Sequence, residues 1–267
     1  MTENRAGRTK AAGHGRSAFM ADYAGAQIRP SPNFDDRRAG SRVSMLIMHY
    51  TGMKTAEEAE RRLTDPQSQV SAHYLVREDG AIVQFVPESK RAWHAGVAYW
   101  RGERDINSCS IGIEIAYPGA PALKPYPAVQ IAGLIALAHN ILARHKGIKP
   151  AYILAHSDVA PERKTDPGEN FPWRKIAQAG IGLYVPPSPV TMNGGTILGL
   201  GAKGRAVAEF QSRLAHYGYN ICVNGVFDKQ TEWVTQAFQR RFRRQKVDGL
   251  ADISTLKTLE RLLVRLK

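Results

Sequence analysis

The chain has 267 residues, carries 37 Lys and Arg against 24 Asp and Glu, and has a formal net charge of +13. That length buries a sizeable core without covalent staples, and two cysteines about 110 residues apart exclude both a disulfide framework and a CxxC metal site. The positive excess asks for an anionic partner, whether nucleic acid, anionic lipid or cell-wall polymer, and no run approaches the ~20 apolar residues of a membrane-spanning helix.

In chain order, residues 1–30 are basic and rich in Gly and Ala, with no apolar centre of the kind an ordinary secretory signal has; a flexible extension is expected. "RVSMLIMHYTG" (42–52) is a nearly continuous apolar run ended by glycine, the pattern of a central strand covered on both faces. "TAEEAERRLTDP" opens with Thr55 and Glu58 in capping-box spacing and stops before Pro66, which predicts a helix. "SAHYLVREDGAIVQFVP" (71–87) reads as two strands around Asp79-Gly80, a hairpin signal. In "SIGIEIAYP" (110–118) Ile111, Ile113 and Ile115 share one strand face and Gly112, Glu114 and Ala116 the other. Residues 128–146 carry one apolar stripe of a long helix, and "AYIL" (151–154) is a further strand. Strands and helices alternate through 31–181, so this part is expected to be α/β with a mixed central sheet flanked by helices.

"GLYVPPSPVTMNGG" (182–195) has no periodicity and several prolines; it reads as a linker over 182–196. Residues 197–267 turn helical, with stripes at Val207, Phe210, Leu214 and Tyr217, at Val234, Ala237, Phe238 and Phe242, and at Leu256, Leu259, Leu263 and Leu266: a small all-α three-helix domain. "VNGVFDKQT" (223–231) and "VDGLADIST" (247–255) repeat with an offset of 24, each a turn followed by an Asp placed to cap the next helix. The cluster Arg240, Arg241, Arg243, Arg244 and Lys246 reads as a solvated helix face. With Phe238 and Phe242 spaced as core, it lacks the exposed aromatics of a nucleic-acid site, and nucleic acid is not expected as a partner. "GLGAKG" (199–204) matches a dinucleotide fingerprint but lacks the βαβ context, and linker glycines explain it.

Polar residues stand where apolar strands end. His49 closes "SMLIMH", His156 closes "AYILAH", and Asp166 follows ten residues later. Imidazole nitrogens and a carboxylate oxygen are good zinc ligands, and catalytic zinc takes three protein ligands; each residue alone has an ordinary structural reading. His139 and His145 read as structural, and His14 and His216 have no context. Glu114, in mid-strand, is costly to bury unpaired, so it is either half of a salt bridge or a general base. Lys164 lies two residues before Asp166, on the same side of an extended loop, where a cation could steady an oxyanion.

"MHYTG" (48–52), "SAHYLVREDG" (71–80), "AWHAG" (92–96), "NSCSIGIEI" (107–115) and "AHSDVAPERKTDPG" (155–168), in that order, resemble the type-2 N-acetylmuramoyl-L-alanine amidases, whose fold is shared with peptidoglycan recognition proteins. The tail around 223–231, 237–239 and 247–255 resembles a three-helix peptidoglycan-binding domain. The first resemblance implies that His49, His156 and Asp166 hold Zn2+, that Glu114 is the base and that Lys164 is the catalytic lysine. It places Trp93, His94 and Asn107 near the substrate groove and makes Asp158 a loop or cap residue. Aspartate rather than cysteine at 166 implies the bacterial recycling and envelope branch; the other branch has a catalytic tyrosine where this chain has Ala72. The implied partners are peptidoglycan or muropeptide fragments, including anhydro-muropeptides; the wall-binding tail implies the periplasm or envelope, and the missing ordinary signal points to the cytoplasm or to unusual export. A non-catalytic recognition module is the competing reading, and a zinc peptidase cutting within the stem peptide is a weaker one, since no HExxH is present.

Overall fold

The computed structural model describes residues 19–119, 124–190 and 197–266. Its main sheet runs β1 (Ala26–Ile28), β5 (Ile82–Gln84), β4 (Tyr74–Val76), β7 (Ser110–Ile115), β3 (Met45–Tyr50), β8 (Ile153–Ala155). Only the β4–β5 hairpin is antiparallel, closed through Arg77, Gly80 and Ala81 as the Asp79-Gly80 signal required. A separate antiparallel pair joins β2 (Phe34–Asp36) to β6 (Lys90–Ala92). The expected mixed α/β sheet is thus present, with one difference. Part of the expected N-terminal extension, residues 26–28, forms β1, parallel to β5, and Asp22 and Gln84 exchange two hydrogen bonds beside it. A three-residue strand between Gly25 and Arg29 is too short to show a period in the sequence. Residues 1–18 of that extension lie outside the described residues.

Alternation sets what each face packs against. Leu46, Met48, Ile111, Ile113 and Ile115 are fully buried on one face, against Ile131, Leu134, Leu137, Ala138 and Ile141 of α3 (Ala128–Arg144). Each such side chain contributes about 1.5–3 kcal/mol on burial. The other face presents Met45, Ile47, His49 and Glu114. Helix α1 (Ala56–Thr64) begins at Thr55, whose side chain accepts from Glu58 N, while the Glu58 carboxylate reaches Lys54 N, one residue ahead of a standard capping box. Short helices α2 (Ile106–Cys109), α4 (His156–Val159) and α5 (Trp173–Gln178) lie in the connections.

The tail forms α6 (Arg205–Tyr217), α7 (Lys229–Phe242) and α8 (Ile253–Val264). Asp228 and Asp252 cap α7 and α8 by accepting from Thr231 N and Thr255 N at 2.9 and 2.8 Å. Each copy of the repeat also uses a buried glutamine that the pattern did not single out. Gln211 Oε1 accepts from Asn224 N and Gly225 N, and Gln239 Oε1 from Asp248 N and Gly249 N. In α8 the fully buried leucines are Leu259 and Leu262, with Leu256 and Leu263, and Leu266 just beyond the helix, partly covered. "GLGAKG" is the turn leading into α6, with Gly201 and Gly204 at positive φ.

One hydrophobic cluster crosses from the sheet to the tail. It joins Met45, Ile47 and Leu154 to Phe210, Tyr217, Phe238 and Phe242, with Trp100 edge-on to Tyr217 and Tyr219 at 5.1 and 5.2 Å. The described part of the expected linker also packs: Ser188 N donates to Thr258 Oγ1, and Ser254 Oγ to Ser188 O. The solvated-face reading of the arginine cluster is corrected at two positions. Arg241 and Arg243 are 3% and 0% exposed, Arg241 paired with Asp158 and Arg243 with Asp248 and Asp252. Acid partners neutralise charges that the sequence alone leaves to water.

Candidate active site

Three parallel strands set the site by register. His49 on β3 pairs with Glu114 on β7, so the two side chains leave the sheet side by side, and Met48 pairs with Ala155, which places His156 one step beyond β8 beside His49. The C-terminal ends of parallel strands are where open α/β sheets form crevices. Here they open into a cleft of about 370 Å3 lined by His49, Trp93, His94, Glu114, His156, Lys164 and Asp166, with Arg62 and Val70 on the wall.

His49 Nδ1, His156 Nδ1 and Asp166 Oδ2 lie within 2.9–3.1 Å of one another. The outer nitrogens decide what that contact is. His156 Nε2 lies 3.0 Å from Ala95 O, which can only accept, so Nε2 carries a proton, and in the neutral ring Nδ1 is the lone pair. For His49 the decision passes along a chain. Ser110 Oγ donates to Ile106 O at 2.6 Å, so it accepts from His94 Nε2 at 3.1 Å; His94 Nδ1 then accepts from His49 Nε2 at 3.1 Å. His49 Nδ1 is therefore also a lone pair. Two imidazole lone pairs and a carboxylate oxygen converge with no proton between them, the donor set a divalent cation needs. The chain of contacts requires His94 to lie close against β7, and Gly112 makes room: a Cβ there would sit 2.4 Å from the His94 ring.

Burial, aided by the neighbouring His156, lowers His49 to about 4, and burial lowers His94 well below the ordinary imidazole value, so both are neutral near pH 7. Glu114 goes the other way. Burial and the Asp166 charge push it well above the ordinary carboxylate value, with Lys164 opposing, and its Oε2 has no hydrogen-bond partner among the described residues. The salt-bridge reading of Glu114 is therefore not what the structure shows. Lys164 is half-buried on the cleft wall and makes no ion pair among the described residues.

A scan of family models matches residues 39–169 to "N-acetylmuramoyl-L-alanine amidase" and residues 203–259 to a peptidoglycan binding domain. N-acetylmuramoyl-L-alanine amidase AmiD of Escherichia coli (strain K12) is 38% identical over 241 residues, which is 83% of this chain and 83% of AmiD. The chain belongs to the N-acetylmuramoyl-L-alanine amidase family. Among solved structures, AmiD from E. coli with the substrate anhydro-N-acetylmuramic acid-L-Ala-D-gamma-Glu-L-Lys has a TM-score of 0.70 at 33% identity, covering 87% of this chain and 98% of that one. AmpDh3 from Pseudomonas aeruginosa has a TM-score of 0.68 at 28% identity, covering 93% of this chain and 99% of that one.

In this amidase the expected groove residues separate by position. Trp93 lines the cleft, its Nε1 donating to Asp35 Oδ2 at 2.7 Å. His94 reaches the cleft, but both ring nitrogens are engaged by His49 and Ser110. Asn107 is buried behind the 94–95 turn, where its Oδ1 accepts from His94 N and Ala95 N, and it does not line the cleft. Sequence reasoning missed Ser110 and Gly112, whose places in β7 look like ordinary small-residue packing, and Arg62, which looks like helix surface. His139 and His145 bond elsewhere, to Ala179 O and Glu88, and His14 lies outside the described residues.

Proposed function

We propose that His49, His156 and Asp166 hold a zinc ion, and that the site hydrolyses the amide between the lactyl group of N-acetylmuramic acid and the L-alanine of the stem peptide, anhydro-muropeptides included. Zinc at such a site lowers the pKa of a water toward about 7 and polarises a carbonyl. Glu114 takes the proton of the attacking water and returns it to the departing L-alanine amine; its raised pKa suits both transfers. Lys164 meets the negative charge that develops on the carbonyl oxygen. Trp93 and Arg62 face the substrate, the first offering an apolar wall and the second a cation toward stem carboxylates.

The observation that carries this reading is the register of His49 with Glu114, which puts an unpartnered carboxylate beside three converging lone pairs. The test is mass analysis of anhydro-muropeptides digested with the zinc-loaded chain. Intact stem peptides with a free L-alanine amine are expected. Cleavage between two stem residues, or none at all, contradicts it. The peptidoglycan-binding domain supports action at the envelope rather than in the cytoplasm, and cell fractionation with an antibody to the chain checks this. No helix among the described residues is long and apolar enough to cross a membrane.

A further inference from the structure

Two of the three metal-ligand positions sit on turns that the C-terminal domain grips. His156 opens α4. Two residues on, Asp158 turns back so that its Oδ2 accepts from Ala155 N at 2.9 Å, fixing the step from β8 into the helix. The same carboxylate receives Arg241 Nη1 at 2.6 Å and Tyr219 Oη at 2.8 Å, both from the C-terminal domain. Arg241 Nη2 also donates to Ile153 O at 2.8 Å, so one guanidinium holds the strand before His156 and the helix after it. Its plane is backed by Trp173, 4.2 Å from the ring centre, and both charged side chains are at most 1% exposed. The neighbouring arginine does the same for the other turn. Arg240 Nε lies 2.7 Å from Glu169, three residues after Asp166.

We propose that the C-terminal domain is a positioning element of the metal site: Arg241 of α7 and Tyr219 of the α6–α7 connection, acting through Asp158, set the His156 turn, and Arg240 of α7, acting through Glu169, sets the Asp166 loop. The C-terminal domain then has a second role besides binding the wall. It supplies the outer support of a metal centre whose ligands all belong to the other domain. Buried charge makes that support directional, because a guanidinium fixed in place by an acid, a backbone carbonyl and an aromatic face cannot shift without leaving a partner unpaired. Arg240–Glu169, partly exposed, is the weaker of the two grips.

The inference rests on the zinc reading, and the experiment keeps the two apart. Zinc affinity of the full-length apo chain is measured by competition with a chromophoric chelator, alongside the visible absorption spectrum of the cobalt-loaded chain and a thermal melt. The variants are Arg241→Met, Tyr219→Phe, Arg240→Gln and Glu169→Gln, with Arg240→Lys as the conservative rescue. Zinc affinity is expected to fall roughly 10- to 100-fold in Arg241→Met, with an altered cobalt spectrum, and by a smaller factor in Arg240→Gln and Glu169→Gln, with recovery in Arg240→Lys. Should Arg241→Met fail to fold, the partly exposed Arg240–Glu169 pair and Tyr219→Phe decide the matter. Lowered melting temperatures with wild-type zinc affinity and cobalt spectra would mean that the domain contact is structural only, and the inference falls. Failure of the wild-type chain itself to bind zinc overturns the zinc reading, and this one with it.

Discussion

Two buried polar clusters in this amidase differ in one respect. Around Glu88 every carboxylate lone pair is used: Oε1 accepts from Tyr74 Oη and Arg144 Nη2, and Oε2 from Arg144 Nε and His145 Nε2. Around His49 three lone pairs point at one another, and the nearby Glu114 keeps an oxygen without a partner. Both clusters pay for desolvation, but only the first is repaid within the fold. A folded chain that closes one network and leaves the next open has, on the proposed reading, placed its unmet valences where a cation and a substrate would go. This difference separates scaffold from chemistry better than residue type does, since both clusters contain histidine and a carboxylate.

The comparison is tested hardest at Glu114. Glu114→Gln keeps the shape and removes the proton carrier, so kcat on anhydro-muropeptide is expected to drop by about 10²–10⁴, while the melting temperature stays equal or rises because a carboxyl oxygen without a partner is replaced by a neutral amide. A substantial loss of stability would show Glu114 to be a structural residue like Glu88. Glu88→Ala should behave in the opposite way. It strands Arg144 and His145 and costs about 3–5 kcal/mol in denaturant unfolding, with zinc affinity unchanged.

Acid titration sharpens the contrast further. Burial acts against the charge on Glu88, but hydrogen bonds from His145, Arg144 and Tyr74 outweigh it and bring the carboxyl from 4.5 down to about 2. Its folded-state pKa is depressed, so its contribution is complete above the unfolded value and disappears as pH falls through about 2. That amounts to about 3 kcal/mol lost between roughly pH 5 and 2. Unfolding followed against pH should show this loss in the wild type and its absence in Glu88→Ala. The smallest expected effect is at Ser110. Ser110→Ala removes the acceptor that fixes the His94 tautomer, and should weaken zinc affinity by about tenfold with little change in the fold; unchanged affinity would detach His94 from the metal site.

The site was legible in the sequence to the extent that it depends on strand ends. His49, Glu114 and His156 interrupt apolar runs, and parallel register turns that linear signal into proximity. The hairpin at Asp79-Gly80 and the caps at Asp228 and Asp252 were legible because they are local. What the sequence concealed depends on partners far along the chain. Arg241 looks like one charge in a solvated run until Asp158, 83 residues away, neutralises it. Asn107 looks like a groove residue until its side chain is seen bonding the turn that carries His94. β1 has three residues and is held by pairing along the edge of β5, 56 positions away in sequence.

The most direct measurement is the zinc content of the purified full-length chain and of Asp166→Ala and His49→Ala. One zinc per wild-type chain, lost in both variants with muropeptide cleavage while the fold survives, is the predicted result. Full zinc and full activity in Asp166→Ala would contradict the account.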